Sequence, residues 1–224
     1  MIGKDNKYDA VIVGAGVSGL FMFYKLRNMG LSVLVIEKSD ELGGTWNWNR
    51  YPGARCDIPS LEYSYQFDED LQQEWNWSEK YSAGPEILEY LNHVAEKFDL
   101  KDYINFEEEV IQAKFNEDSC LWSVSTNKQK YVAKFCIFAT GCLSIPNKPE
   151  IPGLESFEGK LLHTATWPRE EQNFTDKNVA IIGTGSSSIQ TIPEIAKDVK
   201  NLYVFQRTPN YSIPSNNGPM DKDV

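Results

Sequence analysis

Two glycine clusters carry the chemistry most plainly. The first, Gly14-Ala15-Gly16-Val17-Ser18-Gly19, follows an apolar run at 10–13 and leads into a helical pattern. In a strand–turn–helix unit each glycine has its own task. Gly14 allows the tight turn, Gly16 lets a pyrophosphate approach bare backbone, and Gly19 lets the helix pack closely on the strand. Around Ser18, the free N–H groups and positive dipole end of the starting helix attract the same anion. Glu37 stands 23 residues after Gly14, at the end of a second apolar strand, where a carboxylate accepts hydrogen bonds from a ribose 2′-OH.

The same order returns later in the chain. Gly183-Thr184-Gly185-Ser186-Ser187-Ser188 follows an apolar run at 179–182, and a helix opens through Ile189 and Gln190. Ser188 takes the third glycine's place and is small enough to keep the helix close. The residue 23 positions on is now Gln206, with Arg207 and Thr208 behind it. A neutral amide in place of the acid removes repulsion against a 2′-phosphate, and a neighbouring guanidinium clamps that phosphate with two hydrogen bonds. The first site is therefore expected to hold an unphosphorylated ribose, as in FAD or NAD, and the second NADP. The plainer reading of Arg207 and Thr208 is a strand end at the surface.

Further candidates lie between the two units. Gly43-Gly44-Thr45-Trp46, followed by Trp48, makes a loop whose indoles either lie flat against an isoalloxazine ring or plug the core. The next segment, Asn49-Arg50-Tyr51-Pro52-Gly53-Ala54-Arg55-Cys56-Asp57, contains one acid, Asp57, with Arg50 and Arg55 near it. On sequence alone such an acid reads first as a surface cap and second as a charge with a task. His163 lies in a short strand-like stretch that ends at Trp167-Pro168, and reads as a hydrogen-bonded linker histidine.

The elements that position these residues follow from periodicity. Leu20, Phe23, Tyr24 and Leu26 suit a helix packed on a sheet, with Gly30 as its stop. Gly84-Pro85 opens another helix with Ile87, Leu91, Val94 and Phe98 on one face; His93 lies off that face and is expected to be solvated. Segments 110–115, 121–125 and 131–138 read as a three-strand meander ending at Ala139-Thr140-Gly141, a strand end able to close on a nucleotide. Pro146, Pro149, Pro152 and Gly153 form a linker, and Pro193 falls early in the second unit's helix, where it would tighten or kink the first turns. The expected division is 1–147 as the FAD-binding domain, 148–210 as the first part of an NADP-binding domain, and 211–224 as the start of a connecting or helical segment.

Composition excludes several other classes. At 41% apolar and 24% charged, the chain is an ordinary globular mix, and 224 residues suffice for one or two domains. A net charge of −10 without a basic stripe argues against nucleic acid or an anionic membrane as a partner. No apolar run approaches the roughly 18 residues that span a bilayer, and residues 1–7 lack the apolar core of a signal peptide, so a soluble cytoplasmic protein is expected. The four cysteines form no CxxC pair and read as reduced thiols; Cys136 and Cys142 are poorly placed for a disulfide reductase. With only His93 and His163 present, a histidine-based metal site is not expected. Ser186 to Ser188 lack the glycine elbow of a serine hydrolase.

Two dinucleotide units joined by Phe157-x-Gly159-x-x-x-His163-x-x-x-Trp167-Pro168 resemble type I Baeyer–Villiger monooxygenases along nearly the whole chain, most of all the phenylacetone- and cyclohexanone-oxidising branches. The other matching stretches are Gly43 to Trp46, Asn49 to Asp57, Ala139-Thr140-Gly141 and Phe205-Gln206-Arg207-Thr208-Pro209. The resemblance implies an α/β fold of two Rossmann-like three-layer dinucleotide-binding domains with a small β-meander, holding FAD and NADP(H). By position, Glu37, Trp46, Asp57, Tyr63 and Val110 would contact FAD, with Gly44, Thr45 and Gly141 also at the cofactors. Arg55, Cys56 and Asp57, the turn from Thr184 to Gln190, and Arg207 with Thr208 would contact NADP.

In that family NADPH reduces the flavin, O2 adds at its C4a carbon, and the peroxyflavin inserts oxygen into a ketone to give an ester or lactone. The resemblance raises Asp57 to a residue that orients an active-site arginine, and makes His163 a coupler of linker movement to the two cofactor sites. A ketone and O2 are then the small-molecule partners. Family members continue beyond the position of Val224 through a helical insertion, the arginine-bearing return of the NADP domain and the rest of the FAD domain. The chain is accordingly expected to be an N-terminal fragment, with the C-terminal part of the fold missing and no activity alone. The alternatives are an N- or S-oxidising flavin monooxygenase, from which the Trp167-Pro168 ending separates it, and an incomplete nucleotide-binding remnant.

Overall fold

A computed structural model describes residues 6–221. The chain divides into two compact units, one of Met1–Asn47 with Leu88–Ile145 and one of Trp48–Ile87 with Pro146–Val224. Residues 48–87 thus group with the chain after 146 rather than with the strands that precede them.

The first unit is built on a six-stranded sheet that starts at one edge with residues 104–105 and runs through 33–36, 7–13, 130–138 and 121–126 to 110–116 at the other. At its centre β1 (Lys7–Val13) pairs in parallel with β2 (Val33–Ile36) on one side and β6 (Lys130–Phe138) on the other, and β2 carries the short parallel β3 (Ile104–Asn105). β4 (Val110–Asn116), β5 (Leu121–Thr126) and β6 run antiparallel. The meander read from the sequence is therefore not a separate sheet: its last strand is also β1's neighbour. Tyr131 and Ala133 on β6 join Val11, Leu34, Ile36 and Val124 in one buried apolar cluster, which explains why β6 serves both halves.

Helix α1 (Val17–Asn28) buries Gly19, Leu20 and Phe23 and stops at Gly30, whose φ of +81° suits glycine at a helix C-terminus. Helix α5 (Gly84–Lys97) begins in the second unit and ends in the first. It buries Tyr90 and Ala95 besides Ile87, Leu91 and Val94. That wider buried face reaches His93, which is half-buried with Nε2 shielded from solvent, so the expectation of a solvated histidine is corrected.

Three short helices, α2 (Thr45–Trp48), α3 (Ser60–Tyr63) and α4 (Glu69–Glu74), punctuate the segment between the glycine loops. Asp68 caps α4 by accepting the Leu71 N–H at 2.8 Å. The second unit also repeats the strand–helix–strand element: β7 (Asn178–Ile182), α6 (Ser186–Ile195), and β8 (Asn201–Phe205) parallel to β7. Because α6 starts within the serine triplet, which carries no apolar signal, Pro193 falls in its last turn rather than early, correcting that expectation. After β8 the described residues contain no helix. The tail instead returns to residues 78–81, where Pro219 bridges Glu79, Met220 N–H donates to Ser78 O at 2.9 Å and Lys80 N–H to Gly218 O at 3.0 Å.

Candidate dinucleotide-binding sites

The first glycine turn is fixed by contact on several sides. Gly14 has φ +106° and donates its N–H to Ile36 O at 2.8 Å, joining the turn to the end of β2. A Cβ on Gly14 would lie 2.6 Å from Ala139 O, so the Ala139-Thr140-Gly141 strand end presses on the turn from β6. A Cβ on Gly19 would lie 1.9 Å from Gly14 O, which is the close helix packing that the third glycine serves. The Gly43-Gly44 loop covers the turn: Gly43 N–H donates to Ala15 O at 3.0 Å, and a Cβ on Gly44 would come within 3.0 Å of Gly16 Cα. Gly16 and Gly44 thus face each other as bare backbone. Ser18 is exposed on the first turn of α1, and Gly141 is exposed at φ +69°.

Glu37 is 5% exposed, and both of its oxygens are engaged. Oε2 accepts the Ala15 N–H at 2.7 Å and Oε1 the Ser39 N–H at 2.8 Å. A carboxylate so held is tied to the glycine turn through charge-assisted hydrogen bonds. Nearby, Asn47 is 1% exposed and donates to Ser39 Oγ at 2.7 Å and Glu41 O at 3.2 Å. Trp46 is half-buried and Trp48 is 42% exposed, so neither indole plugs the core; the buried residue between them is the amide. Thr45, which opens α2, and Val110, at a register shift that opens β4, are each half-buried.

Sequence reading missed both Asn47 and Glu108. Glu108 is buried and accepts hydrogen bonds from Thr126 Oγ1 at 2.6 Å, Tyr131 OH at 2.9 Å and Asn105 Nδ2 at 3.0 Å. Burial first, and then Glu108, push the Tyr131 hydroxyl up to about 12. The only signal in the sequence is an acid two residues before a strand start, which looks like a solvated turn.

The second turn repeats the first in backbone terms. Gly183 also has φ +106°, its N–H donates to Phe205 O at 2.8 Å, and Ile189 N–H donates to Gly185 O at 3.0 Å. Its surroundings are open: a Cβ on Gly185 would meet nothing within 4 Å, and one on Gly183 only Ser188 Oγ at 3.9 Å. Ser188 stands here where the first turn has Gly19, with its Oγ the one atom near the Gly183 position. Thr184 Oγ1 donates to Gln206 Oε1 at 3.3 Å and accepts from Asn210 Nδ2 at 3.1 Å. Gln206 so ties strand end to turn, as Glu37 does, but through a long neutral bond. Ser186, Ile189, Arg207 and Thr208 are exposed, and Ser187 is half-buried.

Gln190 binds the other predicted segment to α6. Its Oε1 accepts from Tyr51 OH at 2.8 Å and from Arg55 N–H at 3.4 Å, and its Nε2 donates to Arg55 O at 3.1 Å. Gly53 is required there, because a Cβ would lie 2.3 Å from Gln190 O. The Arg55 guanidinium pairs with Glu79 at 2.8 Å and donates to Tyr81 O at 3.2 Å. Burial alone would raise Glu79, but the hydrogen bonds from Arg55 and Asn217 hold its carboxyl below the usual range. Cys56 is buried with its thiol donating to Ser82 O at 3.5 Å, and burial pushes that thiol up; Asp57 is exposed and Tyr63 half-buried.

The linker motif has a physical basis as well. Phe157 folds its ring over Gly159, where a Cβ would lie 2.5 Å from the ring. His163 Nδ1 accepts the Ala165 N–H at 3.1 Å, which places the proton of a neutral ring on Nε2, donating to Asn147 O at 3.2 Å. Trp167 packs against Phe174 with ring centroids 6.1 Å apart. Among the described residues no cluster of His, Cys, Asp and Glu gathers to hold a metal ion, and all four cysteines are free. No described helix is long and apolar enough to cross a membrane.

A glycine turn built twice, with a bound acid at one strand end and an amide beside an arginine at the other, defines a protein with two dinucleotide cradles. The chain belongs to the pyridine nucleotide-disulphide oxidoreductase family, which it matches over residues 11–217. It is 45% identical to the acetone monooxygenase (methyl acetate-forming) of Gordonia sp. (strain TY-5), covering 93% of this chain and 39% of that protein. It is 43% identical to the cyclohexanone 1,2-monooxygenase of Acinetobacter sp, covering 96% and 40%. A solved oxidised steroid monooxygenase bound to NADP superposes with a TM-score of 0.93 at 50% identity, over 97% of this chain and 42% of that one. The resemblance to Baeyer–Villiger monooxygenases read from the sequence is borne out. The chain spans about two fifths of the length of these relatives.

Proposed function

We propose that the protein carrying this chain is a Baeyer–Villiger monooxygenase that uses FAD, NADPH and O2 to convert ketones into esters or lactones, and that this chain supplies its two nucleotide cradles. The observation that carries the reading is the asymmetry between two otherwise equal turns: an engaged acid at Glu37 against Gln206 with an exposed Arg207. FAD fits the first cradle, because Gly16 and Gly44 offer bare backbone to a pyrophosphate and Glu37 is held at the ribose position. Trp46, Tyr63, Val110 and Gly141 are its further contacts. NADP fits the second, where Gly185 leaves open space and Arg207 takes the 2′-phosphate. Bound together, the two cofactors supply hydride transfer and the activation of O2.

The chain's own residues bind and orient. Asp57, exposed next to Arg55, is assigned to holding an arginine from outside this chain, and His163 to coupling the linker to the cradles. The domain assignment 1–147 for FAD and 148–210 for NADP belongs to the same proposal, as does the cytoplasm, whose reducing conditions suit four free thiols. The test is purification of the full-length protein and its assay with NADPH against cyclic ketones, amines and sulfides. A yellow protein that consumes NADPH with ketones is expected; a colourless one indifferent to NADPH sinks the reading. Arg207→Ala should raise the KM for NADPH about 10- to 100-fold and leave that for NADH nearly unchanged, as expected when a charged phosphate contact is lost.

A further inference from the structure

Glu108 is the least exposed acid among the described residues, at 2%. Its partners are all neutral and come from three strands: Asn105 on β3, Thr126 on β5 and Tyr131 on β6. A buried carboxylate of this kind is tolerated only when fully hydrogen-bonded, and it then fixes its donors in one arrangement. Asn105 Nδ2 also donates to Tyr131 OH at 2.7 Å, closing the network on itself.

The turn that this network anchors brackets Glu37. Glu37 N–H donates to Asn105 O at 2.9 Å, Glu108 N–H donates to Glu37 O at 2.9 Å, and Glu107 N–H donates to Ser39 O at 2.8 Å. Glu107 itself is held at φ +53°, a left-handed conformation that residues with a Cβ disfavour, so the bonds on either side of it must impose the turn. We infer that Glu108 is a positioning residue for the first cradle: it locks the turn at 105–108, and that turn sets Glu37 where its carboxylate meets the adenosine ribose of FAD. The inference rests on the reading of Glu37 as the ribose acid. High in its range, the Tyr131 hydroxyl stays protonated and donating at neutral pH.

The test is a comparison of dissociation constants in the full-length protein for FAD and for an FAD analogue with 2′-deoxyadenosine, in the unaltered protein and in Glu108→Gln. The unaltered protein should prefer FAD, while Glu108→Gln should weaken FAD about tenfold and the analogue less than about twofold, the pattern of one lost hydrogen bond to a charged group. Tyr131→Phe keeps the ring edge-on against Tyr8 and should give the same pattern with smaller amplitude, independent of whether Glu108→Gln folds well. A preference for FAD that survives in both variants, or an equal loss for both flavins, overturns the role of Glu108 alone. Equal affinity of the unaltered protein for the two flavins overturns the reading of Glu37 and this inference with it.

Discussion

Gly14 and Gly183 share a φ of +106°, and each donates its N–H at 2.8 Å to the last carbonyl of the following strand. Yet a methyl group on Gly14 would strike Ala139 O at 2.6 Å, while one on Gly183 would meet nothing nearer than 3.9 Å. The same local code folds the same turn twice; what differs is what has been packed around it. β6 and the Gly43-Gly44 loop enclose the first turn, whereas β7 has only β8 as a described partner, and Ile182, Tyr203, Val204 and Phe205 remain exposed. Turn geometry is therefore a property of spacing, and tolerance to change is a property of enclosure.

The contrast breaks most sharply between Gly19, the third glycine of the first fingerprint, and Gly185, the second glycine of the other. Gly19→Ala should destabilise by at least about 3 kcal/mol despite alanine's better helix propensity, because its Cβ meets backbone that cannot move aside. Gly185→Ala should cost only about 1 kcal/mol, the loss of a favoured glycine at a helix N-cap where nothing crowds the added Cβ. Denaturant unfolding of both variants measures this, and equal losses would refute the claim that enclosure separates the turns.

An intermediate effect is expected at Gln190, through which the second unit compensates for its open turn by fastening residues 51–55 to α6. Gln190→Ala removes the partner of Tyr51 OH and of both Arg55 backbone groups and should cost about 1–3 kcal/mol. Protection of the Arg55 amide from hydrogen exchange should fall with it; unchanged protection would show that the fastening lies elsewhere.

The smallest effect belongs to the start of β1. The Asp9 carboxyl is held well below its usual range by the hydrogen bond from Lys134, and then by those from the Ser32 N–H and hydroxyl. A depressed folded-state value means that the contribution is complete above the unfolded value near pH ~4 and disappears as pH falls through the folded one. Lys134→Met should move the Asp9 titration toward the ordinary value, at a stability cost of no more than about 0.5 kcal/mol because the lysine is 65% exposed. An NMR titration that leaves Asp9 unmoved would assign the shift to Ser32 alone.

What the sequence made legible is what depends on nearest neighbours. Gly14, Gly19 and Gly183 each answer a local demand for a left-handed φ or a close approach, and the paired strands follow from apolar runs. Long-range demands were less visible. Asn47 and Glu108 look like solvated loop residues until the fold brings Ser39 to the first and Thr126 and Tyr131, 18 and 23 residues on, to the second, where Asn105 joins them. Pro193 was misplaced because serines hid the true start of α6, and His93 because a 4-3-4 stripe understates the buried face when Tyr90 and Ala95 join it. The grouping of residues 48–87 with the later chain carries no sequence mark, since it depends on partners more than a hundred residues away.

That last separation has a kinetic consequence during synthesis. Tyr81 and Asn217 bond across 136 residues. At roughly 5–20 residues per second, a ribosome leaves residues 48–87 waiting on the order of ten seconds for the segment that completes them. The six-stranded unit has all its chain by Ile145, so it should form first, while the second unit is still unfinished, a window in which chaperones would meet the nascent protein.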